Sequence, residues 1–522
     1  MAQQAVLFLV VVLVLLLLLL LRRRWFTTTT TTRRDHGLPP SPPGVKLPIL
    51  GHLHLVDLRR PHVSLRDLAD RHAAGDGLLV LQLGQVANLV VSSPRGAEAI
   101  LRAHDHAFAS RPPSAVSDIL FSGGSDVALA SYGEYWRQAR KLVTTHLLSA
   151  RKVHLLRRAR HEETRLVLAK LRAAANVVDD VGDLLGTFVN DVVSRAVSGR
   201  LVRDEGRNRT FRELSAANGE LLGGFNLDNY FPTLAKLLSF ITPAGMACAE
   251  ARRCRNRWDH LLDTIIDEHH RDEAPSSSSH DHQDDNIINE DDGDFIDVLL
   301  SLQHEYGLTR DQVKVILMDM FAAGTDTSSI VLEYAMIELI RNPHIMTKLR
   351  AEIISNTPRE QDMVNEDNLN NMPYLKAVVK ETIRLHPPVP LLLPRISMEK
   401  CHVNGYTIPA GMRVIVNAWA LARDAKSWDK AQEFMPERFL DNNTSVDFMG
   451  RDFKFIPFGA GRRMCPGMNF GLATVEIMLA NLLYTFNWEL PPGTKKEDID
   501  MTDVFGLTMH PKHKLKLVPR LM

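Results

Sequence analysis

The chain has 522 residues, 45% apolar and 24% charged, a balance that excludes a mainly disordered, collagen-like or multi-span membrane protein. Lys+Arg and Asp+Glu both number 62, so no global basic field exists to hold nucleic acid. Four cysteines, Cys248, Cys254, Cys401 and Cys465, are too few for a disulfide framework and lack zinc-site spacing. A reducing, cytosol-facing location fits, and one cysteine is left open for a special task.

Residues 5–21 are apolar without a break and are followed by Arg22, Arg23 and Arg24. At 1.5 Å per residue the run spans roughly 25 Å as a helix, enough to reach across a bilayer. A secretory signal would carry its charge before the apolar run and a cleavage site after it. The charge follows here, so residues 1–26 are expected to be a retained anchor with the remainder in the cytosol. Sequons at Asn208, Asn442 and Asn443 then stay unglycosylated. Residues 27–51 combine a threonine run with Pro39, Pro40, Pro42, Pro43 and Pro48, a stiff linker or a hinge that sets tilt on the membrane. The fold is expected to begin near residue 45, with residues 52–522 as one body.

Residues 79–83 and 86–91 read as a hairpin turning at Gly84-Gln85. Further strands are expected at 412–416, after the Asn404-Gly405 turn, and at 513–518. The clearest helical periods cover 134–149, 151–175, 250–271, 310–341, 373–386 and 467–486. Strands gather at the chain ends and helices fill the middle, which predicts a mainly α body with small β-sheets (α+β) and no repeat. Residues 273–294 are Ser-, Asp- and Asn-rich and cannot bury enough apolar area to order themselves. They read as a flexible surface loop, or as a boundary between two domains.

Three constellations carry chemistry. The first is Phe455-Ile456-Pro457-Phe458-Gly459-Ala460-Gly461-Arg462-Arg463-Met464-Cys465-Pro466-Gly467. Its glycines allow tight turns and close backbone approach to a flat partner. Cys465 precedes a helix N-terminus, where free N–H groups favour a thiolate. One thiolate without a second nearby ligand excludes zinc and iron–sulfur sites, but suffices for a haem, which brings four nitrogens of its own. The second is Ala323-Gly324-Thr325-Asp326-Thr327-Ser328, poor helix formers in the middle of a long helix. Thr327 can bond back to the Ala323 carbonyl and open a polar notch able to hold a water and pass a proton; the alternative is a tolerated Gly/Thr run in a core helix. The third is Glu381 with Arg384, which share a helix face at i,i+3. Such a pair is usually a solvated bridge, but with Arg438 of Pro436-Glu437-Arg438-Phe439 it would make a buried lock between distant segments.

In the order and spacing of these motifs the chain resembles a cytochrome P450 over residues 38–520, and is most similar to the plant microsomal branch with its specialised metabolism. The resemblance implies the P450 fold and a haem b whose iron Cys465 ligates, the thiolate favouring O–O cleavage. Phe458 and Gly459 would belong to the same haem loop. It makes Thr327 and Asp326 the residues that steer protons to dioxygen. Trp136, Arg140, Arg395 and Arg463 become partners of the haem carboxylates, a task suited to guanidinium forks. Glu381, Arg384 and Arg438 become the lock. Substrate walls fall near residues 114–126, 218–225, 320–327, 389–393 and 505–509, including Ala323, Val389 and Leu507. Three features depart from the family: Val45 follows Gly44 where a hinge proline is frequent, Ser328 stands where a second threonine is frequent, and the acidic 273–294 segment is long for its position.

The expected activity is insertion of one atom of O2 into a lipophilic small molecule: a terpenoid, an indole-derived or a phenolic compound. No dinucleotide fingerprint is present, so electrons from NADPH would arrive through a separate flavoprotein reductase on the endoplasmic reticulum membrane. Arg137, Lys141, Lys152 and Arg462 are candidates for its dock. The rival readings are an O2-independent haem-thiolate rearrangement or dehydration, which needs no proton-delivery threonine, and a non-enzymatic membrane-tethered haem sensor or electron carrier.

Overall fold

The computed structural model describes residues 37–44, 46–174, 177–199, 205–223, 226–237, 243–272, 293–440 and 446–522. The expected anchor at residues 5–21, the threonine run and residues 273–292 of the acidic segment lie outside them, as do Asn442 and Asn443.

The architecture is mainly helical. Ten longer helices, numbered here, are α1 Pro61–His72, α2 Glu134–Leu142, α3 Arg157–Ala174, α4 Val181–Ser198, α5 Glu205–Gly223, α6 Pro243–Asp272, α7 Arg310–Arg341, α8 Pro343–Ser355, α9 Pro373–Leu385 and α10 Met468–Thr485. The strands are β1 Leu78–Leu83, β2 Val86–Val91, β3 Arg395–Ile396, β4 Cys401–Val403, β5 Tyr406–Ile408, β6 Arg413–Val416, β7 Phe486–Glu489, β8 Asp503–Phe505, β9 Met509–Pro511 and β10 Val518–Leu521.

One sheet has the order β1-β2-β6-β3. β1 and β2 form the predicted antiparallel hairpin, while β6 joins β2 in parallel, with Val91 opposite Val416. The other three sheets are two-stranded, pairing β10 with β7, β4 with β5 and β8 with β9. The proline segment is tied to this body: Val80 N–H donates to the Pro40 carbonyl at 2.8 Å, and Thr407 N–H donates to Gly37. The body therefore takes in residues before 45, because residues 37–40 complete hydrogen bonds of two sheets.

α7 is the axis of the molecule. It starts where the Thr309/Gln312 pair predicts, with both capping-box bonds formed, and it stops at Asn342-Pro343. Its residues Val315, Ile316, Leu317, Met318 and Phe321 are fully buried. Gly324 permits the approach of α4, since a Cβ there would stand 3.1 Å from Val193 Cγ2. By length and composition α7 is apolar enough to cross a membrane, but its burial makes it the core helix.

Two local expectations need correction. The helix predicted over 134–149 ends at Leu142 and widens into a π turn over Val143–Leu147. Thr144 Oγ1 donates to the Arg140 carbonyl at 2.8 Å, so the ladder there slips to the i→i−5 partner. The strand predicted over 513–518 begins only at Val518, because its partner β7 pairs with 518–521.

Candidate active site

The Cys465 loop is shaped by its glycines. Gly459 and Gly461 both have φ of 70°, in the left-handed region that favours glycine. A side chain at Gly461 would collide with the Leu101 carbonyl and Asp105. Cys465 N–H donates to the Phe458 carbonyl at 2.9 Å, closing the loop, and the Phe458 ring meets Phe448 edge to face at 5.3 Å.

Cys465 is exposed, yet desolvation is the main influence on its thiol. Both hold together when the sulfur faces an internal space rather than bulk water. Burial pushes the thiol above its ordinary value, while the Gly467 and Met468 amides and the Arg140 charge pull the other way. The expected preference for thiolate at the helix end is thus overridden: in the protein alone, desolvating an anion outweighs two amides and one cation. A metal cation at the sulfur would reverse that balance.

The notch residues stand near this loop. Ala323 is exposed in the middle of an otherwise buried helix. Thr327 Oγ1 donates to the Ala323 carbonyl at 2.8 Å. The next residue, Ser328, packs on α10: a Cβ at Gly471, six residues past Cys465, would lie 3.3 Å from Ser328 Oγ.

Around the loop the protein gathers cations. Arg111, Arg395 and Arg463 are all buried. Arg463 donates to the carbonyls of Ala109, Val127 and Ala130, and its guanidinium lies over the Trp136 ring at 4.0 Å. Trp136 itself donates to the Val127 carbonyl at 3.0 Å. Arg395 reaches Asp105 at 3.3 Å and the Ala460 carbonyl at 2.9 Å. Arg140 donates to the Met464 carbonyl, which puts it at the Cys465 side of the cluster. Burial, then repulsion from Arg395, lowers Arg463 to about 9, and burial with both neighbours lowers Arg111 strongly. A guanidinium keeps its proton in proteins, so the depression measures the cost of gathering positive charge. Among the described residues neither Arg111 nor Arg463 forms an ion pair. A haem fits this arrangement: the internal space lies beside a thiol, and surplus cations wait for two carboxylates.

Contacts join the segments expected to wall the substrate, apart from residues 224–225, which lie outside the described residues. Val127 N–H donates to Asp319 of α7 at 2.7 Å, joining the loop after residue 114 to the notch helix. Gly223, at the end of α5, has no room for a side chain against the Leu507 backbone. Met509 N–H donates to the Pro388 carbonyl at 2.9 Å, which joins the 505–509 segment to the residue before Val389. Thr508 Oγ1 donates to Asp326 at 2.5 Å.

The Glu381 pair is not a solvated bridge. Glu381 and Arg384 are fully buried, with two guanidinium-to-carboxylate bonds of 2.7 and 2.8 Å. Arg384 also donates to the carbonyls of Ala422, Ala431 and Glu433, and Arg438 Nε reaches Glu381 at 3.1 Å.

Some functional groups were not visible in sequence. Arg111 and His510 meet Leu393 and Asp326 from far along the chain, and no local pattern marks them; Thr508 fell within the 505–509 window, but its bond to Asp326 was not foreseen. Of the proposed basic dock, Lys152 is buried and donates to the Gly293 carbonyl, so it is withdrawn from any surface. Arg137 and Arg462 are exposed but paired with Glu134 and Asp105.

Comparison with known proteins agrees with this geometry. The family model described as Cytochrome P450 matches residues 39–517. The chain is 55% identical to the indole-2-monooxygenase of Zea mays over 486 residues, 92% of this chain and 87% of that protein. It is 50% identical to the 3-hydroxyindolin-2-one monooxygenase of Zea mays, covering 94% and 89%. It is 41% identical to the costunolide synthase of Lactuca sativa, covering 93% and 94%. A zebra fish cytochrome P450 solved with progesterone superposes with a TM-score of 0.72 at 23% identity, covering 88% of this chain and 99% of that one, a likeness of fold. The chain belongs to the cytochrome P450 family and is one of its monooxygenases.

Proposed function

We propose that this enzyme oxygenates an indole-type bicycle at a haem held by Cys465. The observation that carries the proposal is the exposed but desolvated Cys465 thiol beside buried guanidinium groups that have no ion pair among the described residues. The substrate class is supported by the Zea mays relatives named for indole and 3-hydroxyindolin-2-one, and by the apolar side chains of Ala323, Val389 and Leu507, suited to a flat lipophilic ring.

When bound, the haem supplies oxygen activation. The chain's residues do the rest. Cys465 anchors the iron from a loop that Gly459 and Phe458 hold in shape. Arg395, Arg463, Trp136 and Arg140 with Arg111 hold the haem carboxylates. Thr327 and Asp326 keep protons at the notch, and Glu381, Arg384 and Arg438 clamp the fold. Electrons come from NADPH through a separate flavoprotein reductase, with residues 5–21 anchoring the chain in the endoplasmic reticulum membrane and its body facing the cytosol.

The test is turnover of indole by microsomes carrying the enzyme and a reductase. A product one oxygen atom heavier, dependent on NADPH, is expected. A clear carbon monoxide band with no indole turnover, and turnover of a sesquiterpene instead, would overturn the substrate class. Thr327→Ala is expected to keep the haem but release more hydrogen peroxide per NADPH, with product falling about 10²-fold, the lower range of a positioned proton donor.

A further inference from the structure

Asp326 is tied to the β8–β9 hairpin, 182 residues away in sequence. Thr508 Oγ1 donates to Asp326 Oδ2 at 2.5 Å. His510 Nε2 lies 3.3 Å from the same carboxylate oxygen and 3.1 Å from Thr508 Oγ1. A hydroxyl has one proton. Having given it to Asp326, Thr508 can only accept from His510, so Nε2 carries an N–H. The hydrogen bonds therefore run in one direction, from imidazole through hydroxyl to carboxylate.

The outer end of this chain meets solvent, for the His510 side chain is 43% exposed. Its surroundings favour the imidazolium. Burial opposes protonation, but Asp326 and Glu333 outweigh it and raise the imidazole above its ordinary value. Glu333 stands two turns beyond Asp326 on α7, with its carboxyl against Gly182 in the first turn of α4. Burial and then Asp180 push Glu333 up to about 7. Asp180 in turn pairs with the exposed Lys514 at 2.8 Å. Acids and bases thus line one edge of the notch helix from the surface to Asp326.

We propose that His510 is the proton inlet of this enzyme, passing its Nε2 proton through the Thr508 hydroxyl to Asp326, beside Thr327. Each passage carries one proton inward and moves no electron. The imidazole is left neutral until solvent returns a proton to it, and Asp326 returns to carboxylate when it hands the proton on at the notch. Monooxygenation consumes two protons as the second oxygen atom leaves as water, so an inlet is required. The inference rests on the reading of Asp326 and Thr327 as the residues that handle those protons.

The experiment uses the full chain in microsomes with a reductase and indole as the probe. His510→Gln keeps an N–H donor toward Thr508 and Asp326 but carries no transferable proton. It is expected to leave the indole-induced haem spectral shift and its Kd unchanged, while product falls about tenfold or more and hydrogen peroxide per NADPH rises. Independently of turnover, peptide-resolved exchange of the His510 ring C–H should report a raised titration in the resting protein that returns toward the ordinary histidine range in Asp326→Asn. Full coupling in His510→Gln would overturn the inlet. So would a weakened spectral Kd that tracks the lost product, since His510 would then only pin the hairpin against the pocket. Should His510→Gln fail to accumulate, His510→Asn also removes the transferable proton and is read the same way. Thr327→Ala separates the levels: if it stays coupled, the proton-handling reading fails; if it uncouples while His510→Gln does not, only the inlet fails.

Discussion

Two buried arginine clusters in this molecule make opposite uses of the same side chain. At Arg384 all five N–H donors are engaged: two on the Glu381 carboxylate and three on the carbonyls of Ala422, Ala431 and Glu433. Glu381 also takes Arg438 and the Met435 amide, at 3.1 and 2.7 Å. Every donor of Arg384 is used and both guanidinium groups close on one carboxylate, so Arg384 has no hydrogen bond left for a ligand. Around Cys465 the hydrogen bonds of Arg463 end on neutral carbonyls, and Arg395 shares Asp105 with Arg462. There the cations repel one another through a desolvated interior. A cluster closed on a carboxylate serves architecture; one in which buried cations such as Arg463 meet only neutral carbonyls is built to receive an anion.

The largest test removes what the second cluster surrounds. Cys465→Ala should abolish the red-shifted carbon monoxide difference band and all turnover. Among the described residues the sulfur forms no hydrogen bond with either arginine cluster, and Arg140 keeps its bond to the Met464 carbonyl, so denaturant unfolding of the apoprotein should shift by less than about 1 kcal/mol. A band that survives would remove Cys465 from the iron.

Glu381→Ala comes next and strikes the closed cluster. It strands Arg384 in a site with no exposure, and breaking a buried pair on one side costs about 3–5 kcal/mol. Loss of folded protein, read as a lower denaturant midpoint with or without haem, is expected. Arg463→Leu should separate the two quantities. It relieves repulsion on Arg111 and Arg395, so apoprotein stability falls little beyond the loss of its carbonyl bonds, while haem retention weakens about tenfold to a hundredfold, as for a lost charge-assisted hydrogen bond. Equal losses of apoprotein stability in the two variants would erase the distinction between the clusters.

What the sequence disclosed follows the range of the interactions. The start of α7 rests on Thr309 and Gln312, three residues apart, and Thr327 reaches back four residues to Ala323; both are written in neighbouring letters. Glu381 and Arg384 share a helix face for the same reason. Their burial was legible only through Arg438 as a lock between distant segments, and the carbonyls of residues 422–433 that complete it were not. Asp326 was visible as an acid in a notch, but its partners arrive from a hairpin near the other end of the chain. Lys152 reads as a surface cation and is instead drawn inward to the Gly293 carbonyl, a contact no local pattern announces. The strand at 513–518 failed similarly, since pairing with β7 decides where it starts.

The smallest expected effect concerns a third pair, intermediate between the two clusters: one cation balanced by one acid at the edge of the core. His269 Nδ1 lies 3.0 Å from the Ile265 carbonyl, and Nε2 lies 2.9 Å from Asp294. A carbonyl and a carboxylate only accept, so both ring nitrogens must carry protons and the ring is an imidazolium. Burial opposes that charge, but the Asp294 bond and charge outweigh it and raise His269 to about 9. Burial also raises Asp294, against the pull of His269, so the net gain is that of one charge-assisted bond, about 1–2 kcal/mol. A folded-state value above the unfolded one means this stability is fully present below pH 6.5 and fades as the pH rises through about 9. Unfolding free energy measured across that window should decline in the native protein and lose that component in His269→Gln, which keeps a donor to one partner but cannot titrate. An identical decline in both proteins would assign the pH dependence elsewhere and leave this ring neutral.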